Sequence, residues 1–180
     1  VIESPEISAV TLTGSTPAGK SVASTAGSVL KKTVLELGGN DPYIILNDAK
    51  IENAVDSCIS GRALNSGQSC IAAKRLIVVD GLYDSFIEIL ERKLSSKIMG
   101  DPFDNVDIGP MVSDIARDEV HEQVLNSIEQ GANCLLGGKI PEGSGAFYPI
   151  TLLTDVKPGM TAFDQEIFGP VFSVIRANDE

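Results

Sequence analysis

The run Leu76-Ile77-Val78-Val79 constrains this chain more than any other feature. It is a compact, largely β-branched strand with no polar alternation, and such a strand needs cover on both of its faces. Leu82, Phe86, Leu90 and Leu94 follow at a spacing of four, which places them on one stripe of a helix. A strand of this kind feeding an amphipathic helix is the unit of a largely parallel sheet flanked by helices.

The rest of the 180 residues repeats the alternation. Val10–Thr13, Thr33–Leu37 and Tyr43–Leu46 read as strands, with a short helix over Pro17–Ala26. Asp48 is expected to cap a helix whose apolar positions are Ile51, Ala54, Val55, Cys58 and Ile59, which form one helical face. Val120, Val124 and Ile128 mark a further helix, capped by Ser113. Cys134-Leu135-Leu136 is a short strand stopped by Gly137-Gly138, and Tyr148–Leu153 and Val171–Ile175 supply later strands. The expected class is α/β.

Charge and composition exclude several functions. A net charge of −11 and a pI of about 4.5 argue against a nucleic-acid groove and against anionic membrane surfaces. No apolar run approaches the ~20 residues of a membrane span. The opening Val1-Ile2-Glu3-Ser4-Pro5 lacks the basic region and apolar core of a signal peptide. Three cysteines, at 58, 70 and 134, give neither a disulfide framework nor a C-x-x-C metal site, so a reducing cytoplasm and no metal are expected. The single histidine, His121, sits between Val120 and Glu122 on what reads as a charged helix face, which leaves Cys70 without a sequence-evident histidine partner.

Two segments carry chemistry. In Gly67-Gln68-Ser69-Cys70 a thiol follows a glycine-containing turn that can present it to a pocket. In Leu35-Glu36-Leu37-Gly38-Gly39 a carboxylate ends an apolar run, and two glycines let another molecule approach the backbone. A thiol and a carboxylate suit covalent catalysis, one attacking a carbonyl and the other preparing the water that releases the product. Cys58, by contrast, belongs to a buried stripe. A competing pattern is Gly14-Ser15-Thr16-Pro17-Ala18-Gly19-Lys20-Ser21, which satisfies the phosphate-binding G-x-x-x-x-G-K-[ST], with Leu76–Asp80 as a candidate magnesium-binding strand. That reading leaves Glu36 and Cys70 without roles.

Together with Glu166-Ile167-Phe168-Gly169-Pro170-Val171 and Val10-Thr11-Leu12-Thr13-Gly14-Ser15-Thr16, these segments resemble the aldehyde dehydrogenase superfamily over essentially the whole chain. The resemblance implies residues 1–37 as the C-terminal end of a dinucleotide-binding domain, and residues 38–180 as a catalytic domain truncated at its C-terminal end. It implies NAD or NADP as cofactor, a small aldehyde as substrate, and a homo-oligomer as the assembly of the parent. Cys70 would attack the aldehyde and carry a thioester, and Glu36 would activate water. Thr13, Gly14, Ser15, Leu37 and Gly38 would lie near the nicotinamide half of the cofactor, with Glu166 and Phe168 at its ribose and ring. Lys20 becomes a solvated helix residue. Within the superfamily the stretches 37–46 and 70–75 look most like bacterial succinate-semialdehyde dehydrogenases. One branch of these carries an Arg six residues before the nucleophile, where this chain has Leu64; Arg62 is nearby but points elsewhere around the helix. The alternative for the chain alone is an inactive catalytic-domain fragment.

Overall fold

The computed structural model describes residues 1–179, which divide after Gly39 into two compact units. The first holds β1 (Ala9–Thr13), α1 (Thr16–Ser28) and β2 (Lys32–Glu36). The two strands pair in parallel from Ala9↔Lys32 to Thr13↔Glu36. Ser15 caps α1 by accepting from the Ala18 N–H at 3.4 Å, and Pro17 in the first turn needs no donor there. Gly19 is buried against Leu37, and a Cβ at that position would lie 2.6 Å from the Leu37 methyl carbons. Gly19 and Ala26 are the buried residues of this unit, so it has little core of its own.

The second unit contains β3 (Pro42–Ile45), α2 (Ile51–Ala63), β4 (Arg75–Val79), α3 (Asp80–Ser95), α4 (Asp114–Glu129), β5 (Asn133–Leu136), β6 (Thr151–Thr154), α5 (Thr161–Asp164) and β7 (Val171–Ala177). Its sheet has the order β3-β4-β7-β6-β5, parallel throughout except between β5 and β6. Each face carries its own core. Leu76 and Val78 of β4, with Phe172 and Val174 of β7, pack with Val55 and Cys58 of α2 and Phe86, Leu90 and Leu94 of α3. Ile77, Val171 and Ile175 belong to the opposite cluster, with Val120 and Val124 of α4 and Ala162 of α5. The two-residue period of a strand thus divides Leu76-Ile77-Val78 between two layers, which is why the run carries no polar position.

Local expectations differ from the structure at four places. Asp48 does not cap α2; it lies in a turn closed by the Ala49 N–H on the Leu46 carbonyl, and Lys50 takes the cap position without a side-chain bond. The strand expected over Tyr148–Leu153 is ordered in the ladder only from Thr151, since Pro149 has no N–H to donate. Ser113 does cap α4, by accepting from Ala116 N–H at 3.1 Å, but Ile128 emerges to solvent. Buried Ser127 replaces it in the interface, donating to the Gln123 carbonyl and accepting from the Ala162 N–H. The turn α5 had no sequence signal of its own.

Candidate functional site

Cys70 lies on the loop from α2 to β4, and its shape is set by three successive left-handed residues, Asn65 (φ 52°), Ser66 (φ 55°) and Gly67 (φ 75°). Two non-glycine residues in that region are costly and persist only where the surroundings over-determine them. Here they are over-determined. Asn65 Nδ2 donates to the Gln68 carbonyl and Gln68 Nε2 donates back to the Asn65 carbonyl. Ser66 Oγ accepts from the Gly109 N–H and donates to its carbonyl, both at 3.1 Å. Gln68 Oε1 accepts from the Val112 N–H at 2.8 Å. The sulfur-bearing residue itself is exposed.

The same turn is locked against the loop before β7. A Cβ on Gly67 would lie 2.2 Å from the Gly169 carbonyl oxygen, so only glycine permits the approach. Arg62, completely buried, donates from Nη1 to the Gly67 carbonyl, from Nη2 to Ile167 and from Nε to Val171, at 3.2, 2.6 and 2.6 Å. Burial lowers its guanidinium to about 10, offset in part by the field of Glu166. Since each of its three nitrogens donates to backbone and it sees no solvent, Arg62 is not placed to receive a substrate carboxylate. Leu64, in the position where one branch has Arg, is exposed.

Lys74 closes the arrangement. Its ammonium donates to the Cys70 carbonyl at 2.5 Å and stands 3.0 Å from Oε1 of Glu166. That approach makes an ion pair but is off-axis for a hydrogen bond, so the buried Oε1 has no aligned donor. Phe168, two residues on, is 43% exposed. The second unit therefore brings Cys70 and Glu166 onto a common cation and leaves an aromatic face open beside them in sequence. Lys74 escaped the sequence reading; its signal was a lone lysine ending the apolar stretch Ile71-Ala72-Ala73 before a covered strand.

In the first unit the expected residues also gather. Thr13 pairs with Glu36 at the ends of their strands, and the Gly14 N–H donates to the Glu36 carbonyl at 3.0 Å. Thr13, Gly14, Ser15 and Glu36 are exposed; Leu37 and Gly38 are half-buried. The phosphate-loop alternative fails here. Residues from Thr16 on are already helical, the Ala18 and Gly19 N–H groups are bound by Ser15 Oγ and Ser15 O, and Gly19 serves close packing on Leu37. No run of free N–H groups remains to cradle phosphates, and Lys20 is exposed. Asp80, the other half of that pattern, is paired to Arg176 at 2.5 Å.

The family model for the aldehyde dehydrogenase family matches residues 1–180. The chain belongs to the aldehyde dehydrogenase family. It is 48% identical over its whole length to an NADP(+) succinate-semialdehyde dehydrogenase of Deinococcus radiodurans, of which it covers 38%. It is 47% identical over 99% of its length to the NAD(P)+ succinate semialdehyde dehydrogenase Sad of Escherichia coli K12, covering 39%. Among solved structures, lactaldehyde dehydrogenase from Escherichia coli superposes with a TM-score of 0.94 at 38% identity, over 97% of this chain and 37% of that one. Succinate-semialdehyde dehydrogenase from Burkholderia pseudomallei gives 0.94 at 31% identity, over 98% and 37%. The chain thus spans little more than a third of the length of these relatives.

Other cysteines and the histidine of this aldehyde dehydrogenase segment sit in packed surroundings. Burial pushes the Cys58 thiol up to about 12 and also raises that of Cys134. His121 is half-buried rather than on an open charged face, with Nδ1 3.2 Å from the Tyr148 hydroxyl. An open cleft of about 560 Å³ is lined by Asp56, Ala63, Leu64, Lys93, Lys97 and Asp107. Its lysines are paired with Glu52, Asp56 and Asp107 and offer no free polar group. Among the described residues no group of His, Cys, Asp and Glu could hold a metal, and no helix is long and apolar enough to cross a membrane.

Proposed function

We propose that the protein carrying this segment oxidises a small aldehyde to its carboxylic acid with NAD or NADP, through a thioester on Cys70. Succinate semialdehyde is the substrate we favour, because relatives named for it are 44–48% identical across the segment. On this reading residues 1–37 end the dinucleotide-binding domain and residues 38–180 belong to the catalytic domain. The observation that carries the proposal is the exposed Cys70 on a strained, fully braced turn, linked through Lys74 to Glu166.

The residues present fit a dinucleotide. The Glu166 side chain is 24% exposed while its Oε1 is buried against Lys74, which leaves the rest of the carboxylate to accept from ribose hydroxyls, and Phe168 is exposed. Thr13, Gly14 and Ser15 are exposed on the turn into α1, where a ligand can approach. Leu37 and Gly38 complete the set. When bound, the oxidised nicotinamide supplies the acceptor for the hydride that aldehyde oxidation must lose.

The protein's own tasks are then few. The Cys70 thiolate adds to the carbonyl carbon, and the carbonyl oxygen gains a charge for which the Cys70 N–H is a candidate donor. The C–H bond would then break, its electron pair leaving as hydride to the nicotinamide that would be bound there, while the C=O double bond re-forms and the acyl group remains on sulfur as a thioester. Glu36 takes a proton from water as that water attacks the thioester, the acid departs, and sulfur returns as thiolate. The proposal includes assembly into a homo-oligomer, which would cover exposed apolar side chains such as Phe103, Val112 and Ile115.

A burst experiment on the full-length enzyme tests the mechanism. Glu36→Gln should release one equivalent of reduced cofactor and then stall, while Cys70→Ala should give neither burst nor turnover. Turnover surviving in Cys70→Ala would overturn the reading. Comparing kcat/KM for succinate semialdehyde and lactaldehyde tests the substrate, and a preference for lactaldehyde would refute that part alone. The 180-residue chain by itself should bind NAD weakly and show no turnover in calorimetry and a cofactor-reduction assay.

A further inference from the structure

Lysines are almost never fully buried unless paired. Lys74 is 1% exposed in its side chain and sits where the nucleophile loop enters β4. Its ammonium has two partners of different kinds, the carbonyl of Cys70 at 2.5 Å and the carboxylate of Glu166 at 3.0 Å. Those two residues come from separate loops and have separate tasks in the proposed mechanism, which assigns none to Lys74. Resting on that reading, we propose that Lys74 is a positioning residue: one buried ammonium fixes the backbone at the nucleophile and the carboxylate that receives the cofactor ribose, so that neither can shift without the other.

Three observations carry this. Lys74 is the ion-pair partner of Glu166 Oε1, which has no hydrogen-bond donor among the described residues, so removing it frees the carboxylate to rotate toward solvent, to which its side chain is already 24% open. The Cys70 carbonyl is otherwise held only through its neighbours, by the Ala72 N–H on Ser69 O and the Ala73 N–H on Gly61 O, both 3.2 Å. Arg62 brackets the same two loops from beneath, through the Gly67, Ile167 and Val171 carbonyls, but touches neither Cys70 nor the Glu166 side chain by a hydrogen bond. Arg62 therefore holds the loops together, and Lys74 alone joins their functional groups. A primary ammonium suits the task because it is a compact charge that can donate in several directions from one point.

A double-mutant cycle in the full-length enzyme tests the proposal. Lys74→Gln keeps a donor for the Cys70 carbonyl and removes the charge facing Glu166. We expect it to raise the cofactor KM about tenfold with a smaller change in kcat, and Glu166→Gln to do the same, within the range for residues that share a partner. In the double variant the KM should rise no further than in the worse single variant. Independent effects that multiply, or an unchanged KM in Lys74→Gln, would overturn the proposal. Should Lys74→Gln not fold, Glu166→Gln alone decides by hydrogen exchange. The Ala72 and Ala73 amides should exchange about fivefold faster although Glu166 lies on another loop, and unchanged protection there would equally overturn it. Failure of the enzyme reading would appear separately, as a wild-type protein with no Cys70-dependent aldehyde oxidation, while the exchange experiment still reports whether Glu166 and the Cys70 loop are coupled.

Discussion

Gly19 in the first unit and Gly67 in the second are both glycines that a close neighbour demands, yet they are not equivalent. At Gly19 an added methyl would meet the far end of the Leu37 side chain, which can move. At Gly67 it would meet the Gly169 backbone carbonyl at 2.2 Å, in a residue with φ of +75°. The same contrast holds for the units as wholes. The first has Gly19 and Ala26 as its buried residues and a two-stranded sheet; the second has a core on each face of five strands and buries Arg62 and Lys74 within it. Bracing is concentrated around Cys70, where the proposed reaction would need fixed geometry. The strand end carrying Glu36 is exposed, which suits the role of base proposed for it.

The largest expected effect separates chemistry from stability. Cys70→Ala in the full-length enzyme should lower aldehyde oxidation on the order of 10⁴-fold or more. Because Cys70 is exposed, the urea midpoint should stay unchanged. A marked loss of stability would mean that the turn depends on its thiol and that the comparison is misdrawn. Next is Arg62→Met, which strands three buried carbonyls at once and should destabilise the second unit by about 3–5 kcal/mol in urea unfolding. A loss below about 1 kcal/mol would show that those loops hold themselves.

Gly67→Ala should cost about 2–4 kcal/mol, since both the φ and the carbonyl contact oppose it. Cys58 supplies a pH test of the core. Its folded thiol lies at about 12, above the usual value of 9.0, so the fold favours the neutral form. That contribution is complete below pH 9 and is lost as pH rises toward 12, at no more than about 1.4 kcal/mol per pH unit. Urea midpoints of wild type and Cys58→Ala should therefore converge between pH 9 and 11, and a constant gap would refute burial as the cause. Gly19→Ala should be the mildest, at about 1 kcal/mol or less, because Leu37 can give way and a helix interior prefers Ala to Gly. If it proved as costly as Gly67→Ala, the first unit would be as tightly built as the second.

The alternation of strands and helices, the stripe of α2, the spacing of α3 and the serine cap of α4 were all legible in the sequence, because each depends on neighbours within a turn or two. So were the segments proposed to carry the chemistry, since Gly67-Gln68-Ser69-Cys70 and Glu166-Ile167-Phe168-Gly169-Pro170 are local patterns. What the sequence could not disclose depended on residues brought together from far along the chain. Nothing local says that the Arg62 donors go to Gly67, Ile167 and Val171 instead of to a substrate, or that Lys74 joins Cys70 to Glu166. The phosphate-loop pattern fitted its letters and failed in space, because α1 starts early enough to use up the N–H groups that the pattern promised. Periodicity and caps are decided by short-range sterics and hydrogen bonds, which a sequence displays. The partners of a buried cation are decided by which carbonyls the packed sheet leaves facing it, and only the tertiary structure contains that.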